Sequence, residues 1–193
     1  MDARIGVLAL QGDVSEHIRA FEEALRAAGC NSPVVPVKKP EDLAPLDALA
    51  IPGGESTTIS RLIEKNGMYQ PLSEFEGGIF ATCAGMVLMA SEADDPRVRT
   101  LGRMDMHVAR NAFGRQRESH EVRLDVAGLD SPFPAVFIRA PVATRVGSGV
   151  QALGAIDRGI VAVRQGKHMA FSFHPELVGD LRLHTLFLKH LGR

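Results

Sequence analysis

Apolar positions along this chain follow two rhythms that alternate. The run Ile5-Gly6-Val7-Leu8-Ala9-Leu10 is continuously apolar, as expected of a strand covered on both faces of its sheet. Gln11-Gly12 makes a turn, and Asp13 with Glu16 three residues on predicts a helix start built as a capping box. Val14, Ile18, Phe21 and Leu25 then recur at helical spacing until Gly29 closes the helix. A short strand follows from Val34 to Val37, and another from Ala48 to Ile51 ends in Pro52-Gly53-Gly54. A helix opens at Ser56 or Thr57, with Ile59, Leu62 and Ile63 inward. The strand Gly78 to Ala81 runs into Thr82-Cys83-Ala84-Gly85 and a helix through Met89.

Strand and helix in turn predict an α/β fold of three layers, a mostly parallel sheet flanked by helices. The second half changes character. Glu121 to Val126 alternates with period two, Ala135 to Ile138 is a short apolar run, and Ile160 to Val163 and Met169 to Phe173 flank Gln165-Gly166-Lys167. The last pair predicts an antiparallel hairpin in the C-terminal half. A helix from about Asp180 buries Leu183, Leu186, Phe187 and Leu191. With no linker, repeat or low-complexity stretch, the expectation is one domain over residues 1–193.

Composition narrows the function classes. Hydrophobic residues make up 45% of the 193, charged residues 23%, and the formal net charge is −1. That balance argues against a strongly basic nucleic-acid binder, and no apolar run approaches the length of a membrane span. Two cysteines are too few for a disulfide framework, and the N-terminus has no signal-peptide pattern. The expectation is a cytoplasmic protein that binds neither nucleic acid nor membrane.

Three segments carry chemistry. In Phe80-Ala81-Thr82-Cys83-Ala84-Gly85 a strand runs straight into a helix with small residues around a cysteine, the arrangement of a nucleophile elbow. A helix N-terminus favours an anion there, and the Ala84 N–H would point at a developing oxyanion. Alone, Cys83 could equally be a buried structural cysteine. In Ser172-Phe173-His174-Pro175-Glu176, His174 and Glu176 two apart at a strand end would project to one side, so that the acid orients the base. Alone, that pattern could be a surface loop. In Pro52-Gly53-Gly54-Glu55-Ser56-Thr57 two glycines let backbone approach a ligand. No Gly-Lys-Ser/Thr follows, and Glu55 would repel phosphate, which discounts a phosphate loop. All three segments sit at strand carboxyl ends, which converge on one crevice in an open α/β sheet. A thiol, a base, an acid and a donor loop together describe acyl transfer through a thioester.

These segments resemble class I (triad) glutamine amidotransferases, whose fold is flavodoxin-like. Gly6-Val7-Leu8-Ala9-Leu10-Gln11-Gly12, Arg110-Asn111-Ala112-Phe113-Gly114-Arg115-Gln116 and Phe137-Ile138-Arg139-Ala140-Pro141 extend the likeness across the chain, most closely to the glutaminase subunits of pyridoxal 5′-phosphate synthases. Ala81, where many members have Gly, and Ala112, where Ser is expected, depart from the pattern without chemical consequence.

The resemblance implies hydrolysis of L-glutamine with Cys83 as nucleophile, His174 as base and Glu176 as its orienting acid. It also implies an oxyanion hole from Gly54 and Ala84, and glutamine contacts at Gly54, Glu55, Ser56, Arg110, Ile138 and Arg139. Arg suits the substrate carboxylate and Glu its ammonium, although without the family Arg110 could equally be a solvated loop cation. The implied partner is a (β/α)₈-barrel synthase subunit in a large hetero-oligomer, with no cofactor and no metal. Docking of that barrel is expected to switch the glutaminase on through the Pro52-Gly53-Gly54 turn. Two alternatives stay open: a glutaminase serving another synthase, as in the histidine pathway, and a non-catalytic α/β binding protein with a reactive cysteine. His17, His107, His120, His168, His184 and His190 are scattered and expected at the surface.

Overall fold

The computed structural model describes residues 3–110 and 120–192. Its first half runs β1 (Ile5–Leu8), α1 (Val14–Ala27), β2 (Val35–Val37), β3 (Ala48–Ile51), α2 (Ser56–Lys65), α3 (Tyr69–Ser73), β4 (Gly78–Thr82) and α4 (Ala84–Met89). Then come β5 (Ala90–Ala93), β6 (Met104–Ala109), β7 (His120–Leu124), β8 (Phe133–Phe137), β9 (Val142–Val146), β10 (Gln151–Ile156), β11 (Gly159–Gln165), β12 (His168–Phe171) and α5 (Arg182–Leu191). The main sheet has the order β2-β1-β3-β4-β12-β11-β9-β6-β5, with β10 beside β11. The strands β2, β1, β3, β4 and β12 are mutually parallel. The expected hairpin is β11–β12, paired antiparallel from Ala162–Phe171 to Gln165–His168. β7 and β8 form a separate antiparallel pair.

Both faces of the central strands are buried, and their residues alternate between two cores. Ala48 and Ala50 join the α1/α5 side, whereas Leu49 and Ile51 join the α2/α4 side. This is why the strand sequences are apolar throughout rather than alternating. On the α1 side Phe80 lies 5.2 Å from Phe21, 5.0 Å from Phe171 and 5.3 Å from Phe187, ring centre to ring centre. Truncating one such ring to Ala typically costs about 3–5 kcal/mol.

Three expectations need correction. The Asp13–Glu16 capping box does not form: Asp13 precedes α1 but makes no side-chain cap bond, and Glu16 accepts from the Ser15 hydroxyl instead. His17 and His184 are not at the surface; both are fully buried. Each lies on the inner stripe of its helix, His17 with Phe21 and Ala24, His184 with Phe187 and Leu188. An imidazole at such a position counts as polar in a periodicity reading, yet its ring packs like an aromatic. His184 stacks on Phe80 at 4.9 Å and meets Phe21 edge-on. The hydropathy pattern does not predict β5, β6, β9 and β10, because their mixed polarity follows their place toward the sheet's far edge. No helix is long and apolar enough to cross a membrane.

Neither ring nitrogen of His184 has a hydrogen-bond partner among the described residues. Burial, helped by the nearby His17, lowers its pKa from 6.5 to about 3. Between those values the unfolded chain binds a proton that the folded chain refuses, so stability falls as pH drops from 6.5 toward 3. His184→Leu should remove that component. Urea midpoints at pH 7 and pH 5 should show the variant gaining on the wild type as pH falls; parallel curves would refute this.

Candidate active site

Four loops meet where the parallel strands end. They follow β1, β3, β4 and β12, and each places one part of the site. After β4, Cys83 sits immediately before α4 with φ 49° and ψ −105°, a conformation a non-glycine residue holds only at a cost of about 1–3 kcal/mol. Its N–H donates to Phe171 O at 2.8 Å, which ties the turn to β12. A Cβ on Gly85 would lie 2.3 Å from Ile51 O, so only glycine lets the elbow close against β3. Ala81 has its methyl in the α2/α4 core and strains nothing.

The chain leaves β12 at Phe171, and His174 and Glu176 stand beyond the strand. What brings the two side chains together is the 3₁₀ turn Pro175–Leu177 that carries Glu176, rather than strand alternation. His174 N–H donates to Val136 O of β8 at 3.0 Å, and its Nδ1 donates to Glu176 Oε1 at 2.8 Å. That leaves Nε2 for Cys83, whose thiol also interacts with the ring. The Cys83 Sγ lies 3.9 Å from Ile138 O.

Two further groups converge on this line. Asp13, excused from capping, places Oδ2 3.4 Å from His174 Nδ1. Thr82 Oγ1 donates to Glu176 Oε1 at 3.3 Å and accepts the Gly53 N–H at 3.1 Å. Burial opposes charge on His174, but hydrogen bonds with Asp13, Cys83 and Glu176 outweigh it and push its pKa up to about 12. Burial also opposes charge on Glu176, yet His17 and His174 hold its carboxyl well below the usual range. The two directions agree: the pair is an imidazolium and a carboxylate.

A cleft of about 280 Å³ opens over Cys83. Gly54, Glu55, Ser56, Cys83, Ala84, Arg110, Ile138, Arg139 and His174 all line it, and Glu176 stands behind His174. Sequence reasoning thus named the lining well. It missed Gln11 and Asp13, which also face the cleft, and Asp95, which pairs with the Arg110 guanidinium. Arg110 Nη2 also meets Glu55 Oε1 at 2.8 Å. Hydrogen bonds from Arg97 keep the Asp95 carboxyl below its ordinary range. Arg139, with φ 45°, is the other non-glycine residue with positive φ among the described residues. Residues 111–116 of the segment that begins at Arg110 lie outside the described residues. Asp13, His174 and Glu176 hold ligand atoms within 4.8 Å of one another and could offer them to a cation, but the His174–Glu176 bond already uses two of them.

A model of the SNO glutamine amidotransferase family matches residues 7–193. The chain belongs to this family. It is 68% identical over 191 residues to the pyridoxal 5′-phosphate synthase subunit PdxT of Methanoculleus marisnigri, covering 99% of each chain. It is 50% identical to the protein of the same name from Niallia circulans, covering 96% of each. A crystal structure of a glutamine amidotransferase superposes with a TM-score of 0.86 at 46% identity, over 98% of this chain and 99% of that one. A proposed GMP synthase subunit from Thermoplasma acidophilum, at 15% identity and a TM-score of 0.66 over 100% and 95%, shares the fold. The three-layer sheet is thus that of a glutamine amidotransferase.

A glutamine-like electrophile should label Cys83 and spare Cys30, which is buried at the far end of α1. Peptide mass spectrometry reads this directly, and an adduct on Cys30 alone would remove the assignment.

Proposed function

We propose that this chain hydrolyses L-glutamine to L-glutamate and ammonia through a thioester on Cys83. The ammonia passes to a separate (β/α)₈-barrel subunit that makes pyridoxal 5′-phosphate. The reading treats residues 1–193 as one glutamine amidotransferase domain at work in the cytoplasm. The observation that carries it is the line Cys83–His174–Glu176 at the floor of a cleft whose rim holds the Arg110–Glu55 ion pair. The names of the relatives support the pyridoxal 5′-phosphate branch over a histidine-pathway partner.

In this mechanism the proton of the Cys83 thiol is held on His174 Nε2, so the pair starts as thiolate and imidazolium, and Sγ attacks the carboxamide carbon. The N–H groups of Ala84 and Gly54 hold the resulting oxyanion. The tetrahedral intermediate collapses as His174 returns the proton to the leaving nitrogen, which departs as ammonia. Water, deprotonated by His174, then cleaves the thioester, and the thiol is regenerated. Glu176 fixes the ring and stabilises the imidazolium without taking its proton. The substrate zwitterion exchanges with the Arg110–Glu55 pair, its carboxylate to the guanidinium and its ammonium to the acid. Ser56, Ile138 and Arg139 complete the pocket wall.

Ammonia release, assayed with the synthase subunit present, tests the reading. Cys83→Ala should lose about 10⁴–10⁶ in kcat. His174→Asn should come close to that loss and Glu176→Gln should fall short of it; a wild-type rate in His174→Asn would sink the triad. Arg110→Ala should raise KM about 10- to 150-fold, the worth of one charge-assisted bond of roughly 1.5–3 kcal/mol. An unchanged KM with a lower kcat would remove Arg110 from the carboxylate site.

The barrel is proposed to activate the glutaminase by turning a peptide of the Gly53–Gly54 segment toward the oxyanion. Gly54 has φ +146°, and a Cβ there would lie 2.6 Å from Gln11 Oε1. Gly54→Ala should therefore blunt activation by the barrel more than it weakens docking, with glutaminase rate and sedimentation followed in parallel. Full activity of the isolated wild-type chain, unchanged by a barrel that visibly binds, would rule the switch out.

A further inference from the structure

His17 is fully buried on α1, yet the proposed reaction gives it no role. Its Nε2 lies 3.0 Å from Thr82 Oγ1 and 3.4 Å from Glu176 Oε1. The Thr82 hydroxyl proton goes to the carboxylate, so that oxygen accepts from His17 and from Gly53 N–H. Nε2 therefore carries a proton, which two oxygens share. Nδ1 has no partner among the described residues, so the polar contacts of the ring lie on its Nε2 side. Glu176 Oε1 collects donors from His174, Thr82 and His17, whereas Oε2 has none among the described residues. The other titratable groups around this pair are Asp13 and His174 at the cleft, Cys83 beyond the ring, and His184 from α5.

We propose that His17 is a positioning residue that acts through Glu176. Its Nε2–H keeps the carboxylate ionised and fixes the oxygen that holds His174 Nδ1. The same N–H braces the Thr82 hydroxyl on which the Gly53 N–H rests, and so links α1 to the oxyanion loop. This rests on the glutaminase reading of Cys83, His174 and Glu176. Without the His17 donor, a buried carboxylate with fewer partners takes up a proton more readily. A protonated Glu176 no longer supports the imidazolium, and the acid limb of activity moves toward neutral pH.

The test compares wild type with His17→Leu, His17→Gln and His17→Asn, assayed for glutamine hydrolysis against pH with the synthase subunit present. Gln can set its amide N–H near the Nε2 position, whereas Asn is too short. His17→Leu should lose about 10- to 100-fold in kcat, the size that outer partners of functional histidines carry at metal sites, with KM nearly unchanged. Its acid limb should shift upward. Gln should restore most of the rate and the limb, and Asn should not. Alkylation of Cys83 by iodoacetamide, followed against pH by peptide mass, should show the same shift in the chain alone. A folded His17→Leu with the wild-type acid limb overturns the proposal. If Leu does not fold, equal behaviour of Gln and Asn overturns it. A wild-type enzyme that releases no ammonia defeats the glutaminase reading, whereas the alkylation profiles still decide whether His17 acts on the pair.

Discussion

Glu176 holds its carboxylate fully out of solvent, and an unpaired charge in that position costs several kcal/mol. The surrounding chain is arranged to supply what the carboxylate needs. Donors come from the loop after β12, from the end of β4 and from the first turn of α1, three segments far apart in sequence. Each donor is useful only if its element lies in register with the others. The acid thus locks the ends of two parallel strands to the helix that crosses over them. It also reaches the loop after β3 at one remove, because the Gly53 N–H rests on the hydroxyl that donates to Glu176.

The cleft above combines a strained floor with a charged rim. Cys83 is held at positive φ by its bond to Phe171 O and by the tight approach of Gly85 to β3. At the rim, Arg110 sits between Glu55 and Asp95. A free amino acid brings a carboxylate and an ammonium, which can replace the Arg110–Glu55 contact with two contacts of the same kind. Asp95 pairs with the same guanidinium on another side. In the proposed reaction such a site selects the α-amino acid end of glutamine and leaves the side-chain carboxamide to reach the thiol.

The C-terminal half completes the site although it looks least like the rest of the sheet. β8 is not part of the main sheet, yet Val136 O accepts the His174 N–H, and Ile138 just beyond it places its carbonyl near Sγ. Arg139 holds positive φ in the same wall. The β7–β8 pair therefore serves as a frame that aims a short loop at the elbow, apart from the main sheet.

Much of this was legible in the sequence. Continuous apolar runs marked β1, β3 and β4 because both of their faces are buried. The small residues around Cys83 and the paired glycines before Glu55 marked turns that only such residues can make. Those local demands, together with the family likeness, named the residues that line the cleft. Sequence pattern could not say which polar side chains turn inward. Asp13 looks like a helix cap, but its carboxylate faces His174; His17 and His184 look like surface residues, but they lie on buried helix stripes. The partners of these groups are dozens of residues away, and a charged or imidazole side chain carries no local mark of where its partner will be. That a carboxylate, two histidines and a threonine meet in one buried network is decided by the packing of α1 against the strand ends, which only the tertiary structure sets.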